Sequence, residues 1–411
     1  MNLWISVILA AAVAFAFCYL LTPKVKKFAE FVGAIDIPND RRINDHPVPR
    51  MGGLAIFVGF MVSMILFVQL SPQIAGMLLG ACIIVAMGAL DDIVCLKPWV
   101  KLAGQCVAAF VAIRCGIVFN AVSTLSFMSS KAFVETGWYS IPLTFLWIVG
   151  CTNAVNLIDG LDGLAVGVSA ISSATLLIVS ALVSENTAVT VVMAGLVGAC
   201  LGFIPYNHNP AKIFMGDVGS QFLGFVLSTA SIIGMFKMHA LVTFFVPVIA
   251  MAVPLADTTF AFVRRIAKGQ SPFKADKGHF HHRLLAMGLD QKQAVMVLYA
   301  ISAFMGLLAV ALAGTSSAVR ILCMLLMAVI VAVLWAYVYI RRIQKNGGHH
   351  AEPVTLHMPG IIREKKAEPQ AETAFHAASE PETRPEEPDI DTDLDLDLDH
   401  ILEDIRSEEE S

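Results

Sequence analysis

Charged side chains are scarce in this chain of 411 residues, because Asp, Glu, Lys and Arg together make up only 15% of it. Hydrophobic residues make up 57%, and the mean hydropathy is +0.71. A soluble globular domain usually carries about 25% charged residues, so this composition excludes an ordinary soluble protein. It is typical of a protein that crosses a membrane several times.

Paired cysteines are missing as well. The eight cysteines stand singly, mostly inside apolar runs, and no C-x-x-C pair occurs. This spacing indicates neither a zinc site nor a framework of disulfides. We interpret the cysteines as lipid-facing or packing residues.

The few charges are divided between two parts of the chain. Residues 1–350 hold 23 Lys and Arg against 14 Asp and Glu, whereas residues 351–411 hold 5 against 19. We therefore separate a membrane domain, 1–345, from an acidic tail, 346–411. The tail has too few apolar side chains to offset the entropy lost on ordering, so we predict that it is disordered.

Eleven apolar segments are long enough, or nearly so, to cross a hydrocarbon core of roughly 30 Å. The first has no basic segment ahead of it and is interpreted as a retained helix, not a signal peptide. The predicted fold class is an all-α polytopic membrane protein with about 11 transmembrane helices. The predicted spans are 3–21, 52–70, 73–90, 102–119, 141–158, 164–183, 188–204, 219–236, 240–262, 293–313 and 318–340.

The distribution of basic residues predicts the orientation. With the N-terminus outside, nearly all Lys and Arg fall in inner loops, and the outer loops keep only Lys131 and Lys237, with Arg320 at a helix end. We therefore predict an outside N-terminus and a cytoplasmic tail. The acids near span ends then share the cytoplasmic face, which suits a water-soluble, anionic substrate; they are Asp91, Asp92, Asp159, Asp162, Asp217 and Asp257.

A polar motif, Asn153–Gly163, ends the fifth apolar segment. Asn156, Asp159 and Asp162 recur every three residues, so on a helix or helical turn they would share one edge. Carboxylates at the end of a membrane-length segment mark a functional site by default. The alternative is a polar helix end with the acids as caps, but two acids and two asparagines favour the site.

Two further acidic motifs follow the same pattern. Asp91 and Asp92 end the third segment, and adjacent side chains diverge on a helix, so one carboxylate could face a metal and the other a reacting group. Alone, this pair would indicate a solvated helix end. Asp217 stands between Gly216 and Gly219, which allow the backbone to approach a charged ligand closely.

The histidine motif His279-Phe-His-His-Arg283 can coordinate zinc, shuttle protons or hold phosphate. Zinc would need further Cys or His at suitable spacing, and none occurs nearby in the sequence. Binding of a pyrophosphate by His and Arg donors fits the basic neighbourhood better. Together with the aspartates, these groups predict a magnesium–phosphate site, with Mn²⁺ as the alternative cation.

Five motifs occur in a fixed order: Pro49–Gly53, Asp91-Asp92, Asn153–Gly163, Phe214–Asp217 and His279–His282. In these motifs the chain resembles the polyprenyl-phosphate N-acetylhexosamine-1-phosphate transferase family. The resemblance implies ten or eleven helices and a cytoplasmic active site. It also implies transfer of a sugar 1-phosphate from a UDP-sugar to a polyprenyl phosphate, with release of UMP. The histidine motif resembles the N-acetylglucosamine-1-phosphate branch, whose members begin O-antigen, enterobacterial or teichoic-acid-type polymers.

The resemblance also implies roles for single residues. Asp217 would be the magnesium ligand, and Asp91 and Asp92 would be the catalytic pair of acids. Asn44 stands where the family often has a histidine, and this departure weakens any role that the resemblance would assign to loop 36–50. The predicted substrate-binding residues are Lys101, Asn156, Asp159, Asp162, Asn207, His279, His281, His282 and Arg283.

The expected partners are a UDP-sugar, undecaprenyl phosphate and the lipid bilayer of the bacterial inner (plasma) membrane. Nucleic acid is not expected, and a homodimer is left open. One alternative keeps the chemistry with another UDP-sugar, including UDP-MurNAc-pentapeptide. A transporter would place acids deep within its spans. A CDP-alcohol phosphotransferase would need Asp-Gly-x-x-Ala-Arg, but Leu-Asp-Gly follows Asp159-Gly160 here.

Overall fold

The structure is a computed structural model that describes most of the membrane domain. The described residues are 2–37, 47–119, 121–122, 134–135, 139–183, 187–234, 240–267, 269, 279–314 and 316–347. The acidic tail from residue 348 onward lies outside this range, as do Lys131 and Lys237 of the predicted outer loops. The disorder predicted for the tail therefore stays a prediction.

Helices make up nearly all of the described chain, and one lies over each of the eleven apolar segments, with the ninth segment divided between two. In chain order they are α1 Leu3–Phe31, α2 Gly53–Phe67, α3 Pro72–Val94, α4 Pro98–Arg114, α5 Ser140–Ile158, α6 Leu164–Val183, α7 Thr187–Asn207, α8 Gly216–Ile233, α9 Ala240–Ala250, α10 Ala252–Ala267, α11 Phe280–Ala286, α12 Gln291–Ala313 and α13 Ser317–Gly347. Within the described residues, seven are long and apolar enough to cross a membrane: α1, α3, α5, α6, α7, α12 and α13. These lengths and compositions suit a multi-pass membrane protein.

The ninth predicted span, 240–262, is not one continuous helix. The helix is interrupted at Met251, between α9 and α10. Pro254 lacks the backbone N–H that a continuous helix would donate to the carbonyl of Ala250, and its ring would clash with that carbonyl. The hydroxyl of Ser172 on α6 donates to the Ala250 oxygen instead, at 2.8 Å. The sequence pattern missed this break because apolar periodicity continues across it.

Two short antiparallel hairpins accompany the helices. Strand β1, Ile35–Asp36, pairs with β2, Val48–Pro49, and β3, Ala121–Val122, pairs with β4, Val134–Glu135. The first hairpin is held in place on both sides. The backbone N–H of Arg50 donates to the Ala34 carbonyl, and that of Phe214 donates to the Pro49 carbonyl, both at 2.8 Å. Loop 36–50 is thereby joined to the segment that precedes α8.

Helix α8 lies at the centre of the bundle. Every residue from Val218 to Ile233 is buried, and its neighbours include α2, α3 and α5. Asp217 occupies the first turn of this helix. The N-terminus of α8 therefore meets the C-terminal ends of α3 and α5, and these three helix ends carry the predicted acidic motifs.

Helices α1 and α7 approach each other closely at a glycine. A Cβ atom built on Gly198 would overlap the carbonyl oxygen of Ala11 on α1. Small residues at such crossings let helix backbones make the dense contacts that hold membrane helices together. Gly150 on α5 makes no such close contact with a neighbouring helix, because a Cβ atom built there would meet nothing within 4 Å.

This contrast gives a test of the packing. Gly198→Ala should force α1 and α7 apart and destabilise the fold by about 1–3 kcal/mol, the usual effect of overpacking. Gly150→Ala is the matched control and should be neutral or slightly stabilising, because alanine is the better helix former. Thermal unfolding of the two variants in detergent measures the difference. Equal melting temperatures for both variants would contradict the predicted helix crossing.

Candidate active site

A polar cavity of about 340 Å³ opens where the ends of α5 and α8 meet the histidine segment. It draws its lining from segments that are far apart in sequence. Seven of the predicted site residues line it: Asn156, Asp159, Asp162, Asn207, Asp217, His281 and His282. Four of the five sequence motifs therefore contribute to one cavity, and the fifth, Asp91-Asp92, packs directly behind it.

Asp217 is the most heavily hydrogen-bonded carboxylate of the cavity. Its Oδ2 accepts from Lys101 Nζ at 2.6 Å and from Gln221 Nε2 at 2.9 Å. Its Oδ1 accepts from Asn156 Nδ2 at 3.2 Å. These contacts fix the carboxylate from three helices, since the donors lie on α4, α5 and α8. A carboxylate has about four acceptor positions, so Asp217 keeps acceptor capacity for a ligand.

Asp91 and Asp92 diverge, as adjacent residues on a helix must. Asp91 accepts from Lys101 Nζ at 3.1 Å and from the backbone N–H of Leu96 at 2.8 Å. Asp92 accepts from the backbone N–H of Asp217 at 3.0 Å and lies 3.9 Å from Arg50 Nε. Both side chains are buried, and neither lines the cavity. The pair thus positions Lys101 and the first turn of α8, and its catalytic role stays a prediction.

Gly216 explains part of the motif that ends at Asp217. Its φ of +72° lies in the left-handed region, and a Cβ atom there would collide with the Asp92 carboxylate. Only glycine avoids both costs. The glycine before Asp217 is therefore already required by the contact between α3 and α8, whether or not a ligand binds there.

The polar motif Asn153–Gly163 is divided between the end of α5 and the turn that follows it. Helix α5 ends at Ile158, so only Asn156 lies on it, while Asp159 follows as the C-cap and Asp162 belongs to the next turn. Asp162 Oδ2 accepts from Asn209 Nδ2 and from the backbone N–H of Ala211, both at 3.0 Å. All three nevertheless reach the cavity, because the turn after α5 folds back along it.

Asp159 experiences a strongly unfavourable field for a carboxylate. Burial raises its pKa to about 8, the charges of Asp217, Asp92 and Asp162 act in the same direction, and Arg50 only partly opposes them. The cavity therefore concentrates negative charge. A group that enters it with positive charge would be favoured.

Asn207 holds the backbone around the cavity. Its Oδ1 accepts from the N–H of Gly163 at 3.2 Å, and its Nδ2 donates to the Ile213 carbonyl at 3.0 Å. With both ends of its amide engaged, Asn207 links the turn after α5 to the segment that leads into α8. Its predicted contact with the substrate stays a prediction.

The histidine motif is divided between the cavity and its support. His281 and His282 line the cavity, whereas His279 is buried behind it and Arg283 is exposed outside it. Burial, followed by the charge of His282, lowers the pKa of His281 to about 4. His281 is therefore a neutral imidazole near pH 7, and the structure does not bring the predicted arginine donor to the cavity.

Several residues of the site were missed from the sequence. Arg50 and Asp36 line the cavity, and Arg50 Nε lies 3.5 Å from Asp36 Oδ1. Arg50 belongs to the Pro49–Gly53 motif, but neither residue was among the predicted site residues. Gln221 stands four residues after Asp217 on one helix, a spacing that places both on the same face. Among the described residues, no group of three His, Cys, Asp or Glu side chains forms a metal cage.

Comparison with known proteins places the chain in a family. The family model described as Glycosyl transferase family 4 matches residues 74–235. A probable undecaprenyl-phosphate N-acetylglucosaminyl 1-phosphate transferase of Bacillus subtilis is 40% identical over 309 residues, which are 75% of this chain and 85% of that protein. A decaprenyl-phosphate N-acetylglucosaminephosphotransferase of Mycobacterium tuberculosis is 35% identical over 311 residues, 68% of this chain and 76% of that protein.

A third relative extends the comparison. The undecaprenyl-phosphate alpha-N-acetylglucosaminyl 1-phosphate transferase of Escherichia coli is 28% identical over 296 residues, 69% of this chain and 78% of that protein. The family-model match, residues 74–235, runs from α3 to α8. These similarities confirm the resemblance drawn from the five motifs, and the chain belongs to glycosyl transferase family 4.

Proposed function

We propose that the protein transfers N-acetylglucosamine 1-phosphate from UDP-N-acetylglucosamine to undecaprenyl phosphate and releases UMP, starting a lipid-linked cell-envelope polysaccharide. The observation that carries this proposal is the convergence of four of the five motifs in the lining of one polar cavity, with Asp91-Asp92 packed behind it, in a chain 40% identical to a protein named for that transfer. The muramoyl-pentapeptide donor is less favoured. A phospho-N-acetylmuramoyl-pentapeptide-transferase of Heliobacterium modesticaldum is 33% identical over only 63% of this chain.

The proposal includes an orientation. Eleven crossings with the N-terminus outside would put the cavity on the cytoplasmic face of a bacterial plasma membrane, where UDP-sugars are found. Two observations support it. The cavity gathers the ends of α3, α5 and α8, which lie together, and basic residues dominate the predicted inner loops.

A divalent cation fits the chemistry of the cavity. Four carboxyl groups line it, those of Asp36, Asp159, Asp162 and Asp217, while both proposed substrates are phosphate anions. Mg²⁺ prefers oxygen ligands and is commonly held by one or two carboxylates together with substrate phosphates, so a cage of three acids is not required. Asp217 would hold the cation, which would supply charge neutralisation for the pyrophosphate.

The chemical step places few demands on the protein. An oxygen of the lipid phosphate forms a bond to the sugar-bearing β-phosphorus, and the bond from that phosphorus to the oxygen bridging to the α-phosphate breaks, so UMP leaves. A phosphate monoester has a second pKa near ~6 and is largely dianionic at neutral pH, so no strong base is needed. The residues of the site would then mainly hold the two phosphates in line.

Lys101 and the histidines contribute in different ways. Lys101 Nζ contacts both Asp91 and Asp217, so it lies where it can compensate charge behind the reacting phosphates. His281 and His282 form another part of the wall, and the neutral His281 can donate or accept one hydrogen bond without adding charge. Asn156, Asp159 and Asp162 are proposed to contact the nucleotide.

The first test is direct transfer activity. Purified protein with magnesium, undecaprenyl phosphate and labelled UDP-N-acetylglucosamine should yield a labelled lipid product. Asp217→Asn should lower the turnover by about 10²-fold or more, as for the loss of one electrostatic group of an active site. Glu30→Gln is the control, because Glu30 forms only an exposed pair with Lys26. Full activity in Asp217→Asn, or no product from any UDP-sugar with the wild type, would refute the proposal.

A second test asks whether Asp91 or Asp92 acts as a base. Both carboxylates already accept hydrogen bonds from Lys101 or from backbone N–H groups. We therefore expect Asp91→Asn and Asp92→Asn to lower turnover by the same factor at every pH. A pH profile of turnover for each variant measures this. Loss of the acidic limb of the profile in one variant would instead identify that residue as the base.

The third test uses the raised pKa of Asp159. Between about pH 4, where the unfolded carboxyl loses its proton, and about pH 8, the folded protein holds a proton that the unfolded chain has lost, so stability falls as pH rises. Asp159→Asn removes this penalty. Its melting temperature should exceed that of the wild type by a margin that grows across this window and shrinks when magnesium is added. A margin independent of pH would contradict the assignment.

A further inference from the structure

Asp257 on α10 joins that helix to the histidine motif. The side chain is only 2% exposed, and both of its oxygens are used. Oδ2 lies 2.8 Å from His279 Nδ1, and Oδ1 accepts from the backbone N–H of Phe280 at 2.7 Å. An ionised carboxylate only accepts hydrogen bonds, so His279 Nδ1 carries the proton in this contact. One carboxylate thereby fixes both the orientation of the His279 ring and the position of the backbone at the start of α11.

The contact continues from His279 to the cavity. The rings of His279 and His281 lie parallel, with 5.8 Å between centroids and 4° between planes. His281 in turn packs on Gly160, where a Cβ atom would lie 2.6 Å from His281 Nε2. His281 and Gly160 both line the cavity, and neither Asp257 nor His279 does. A continuous series of contacts therefore runs from α10 to the nucleotide motif.

We infer that Asp257 is a positioning residue for the donor sugar nucleotide, holding the histidine segment against Gly160 so that His281 completes the cavity wall. This inference rests on the proposed function. Asp257 touches no cavity surface, so its effect on the substrate passes through His279 and His281. Burying a carboxylate is costly unless it is fully hydrogen-bonded, and here its two partners are the ring and the backbone of the histidine motif.

The alternative is that Asp257 only stabilises the fold. A folding role would change the amount of active enzyme, and so would lower the turnover measured with either substrate without changing either KM. A positioning role changes the KM for the substrate that meets His281 and leaves the other KM unchanged. The two roles therefore separate in steady-state kinetics.

The experiment compares Asp257→Asn with wild type in detergent-solubilised full-length protein. Asparagine keeps the shape, but one of the two acceptor oxygens becomes an NH2 donor that faces an N–H donor. We expect the KM for UDP-N-acetylglucosamine to rise on the order of 10- to 100-fold, as for a misplaced binding group, while the KM for undecaprenyl phosphate stays within about twofold. Asp257→Glu, which retains the carboxylate, should recover part of the loss. Asp290→Asn is the control, because asparagine caps a helix as well as the Asp290 that caps α12.

A double variant tests the path of the effect. His281→Ala should raise the same KM, and Asp257→Asn combined with His281→Ala should be no worse than His281→Ala alone, because both changes interrupt one series of contacts. If Asp257→Asn does not fold, His279→Ala interrupts the series at its next member and should give the same split between the two KM values.

Equal changes in both KM values, unchanged KM values or additive effects in the double variant would overturn the inference while leaving the transfer activity of the wild type intact. Absence of transfer by the wild type itself would overturn the proposed function, and the inference with it.

Discussion

The contact of Lys101 with Asp91 and Asp217 is the interaction on which the site depends. One ammonium group from α4 lies between a carboxylate of α3 and a carboxylate of α8, at 3.1 Å and 2.6 Å. Removing one partner of this partly buried pair would leave a charge uncompensated, which is destabilising. The same carboxylate of Asp217 is held from α5 by Asn156. The same contacts therefore hold the ends of α3, α4, α5 and α8 together and fix the position of Asp217 in the cavity.

Behind this contact, a row of buried amides supports Asp217. Asn153 donates to Gln105, Gln105 donates to Gln221, and Gln221 donates to Asp217, at 2.6, 2.9 and 2.9 Å. Gln105 Nε2 also donates back to Asn153 Oδ1, at 3.3 Å, so these two amides hold each other by hydrogen bonds in both directions, while Gln221 donates to the carboxylate. Asn153, which opens the polar motif Asn153–Gly163, therefore contacts the site from behind and does not line the cavity.

The sequence predicted the helices well and the pairing of their ends only in part. Long apolar runs predict α3, α5 and α12. In lipid the backbone N–H and C=O groups must hydrogen-bond within the segment, and a helix achieves this. The interruption of the ninth span at Met251 escaped because apolar periodicity does not register a lost hydrogen bond, whereas the end of α5 at Ile158 agrees with the predicted span. Arg50 and Asp36 escaped for a different reason. Their place at the cavity depends on a hairpin and on the Pro49–Phe214 backbone contact, which are long-range pairings that no local pattern encodes.

The charges of the side chains that line the cavity indicate which groups can neutralise a bound pyrophosphate. Among the described residues that line it, four are carboxylates, Arg50 already lies beside Asp36, and His281 is neutral near pH 7. The protein side chains at this wall therefore do not neutralise a pyrophosphate by themselves, and the proposed cation and nucleotide would have to bind together. His281 and His282 would then have a role other than neutralising charge. A neutral imidazole held by neighbouring rings distinguishes ligands by hydrogen-bond geometry, so its orientation matters more than its charge.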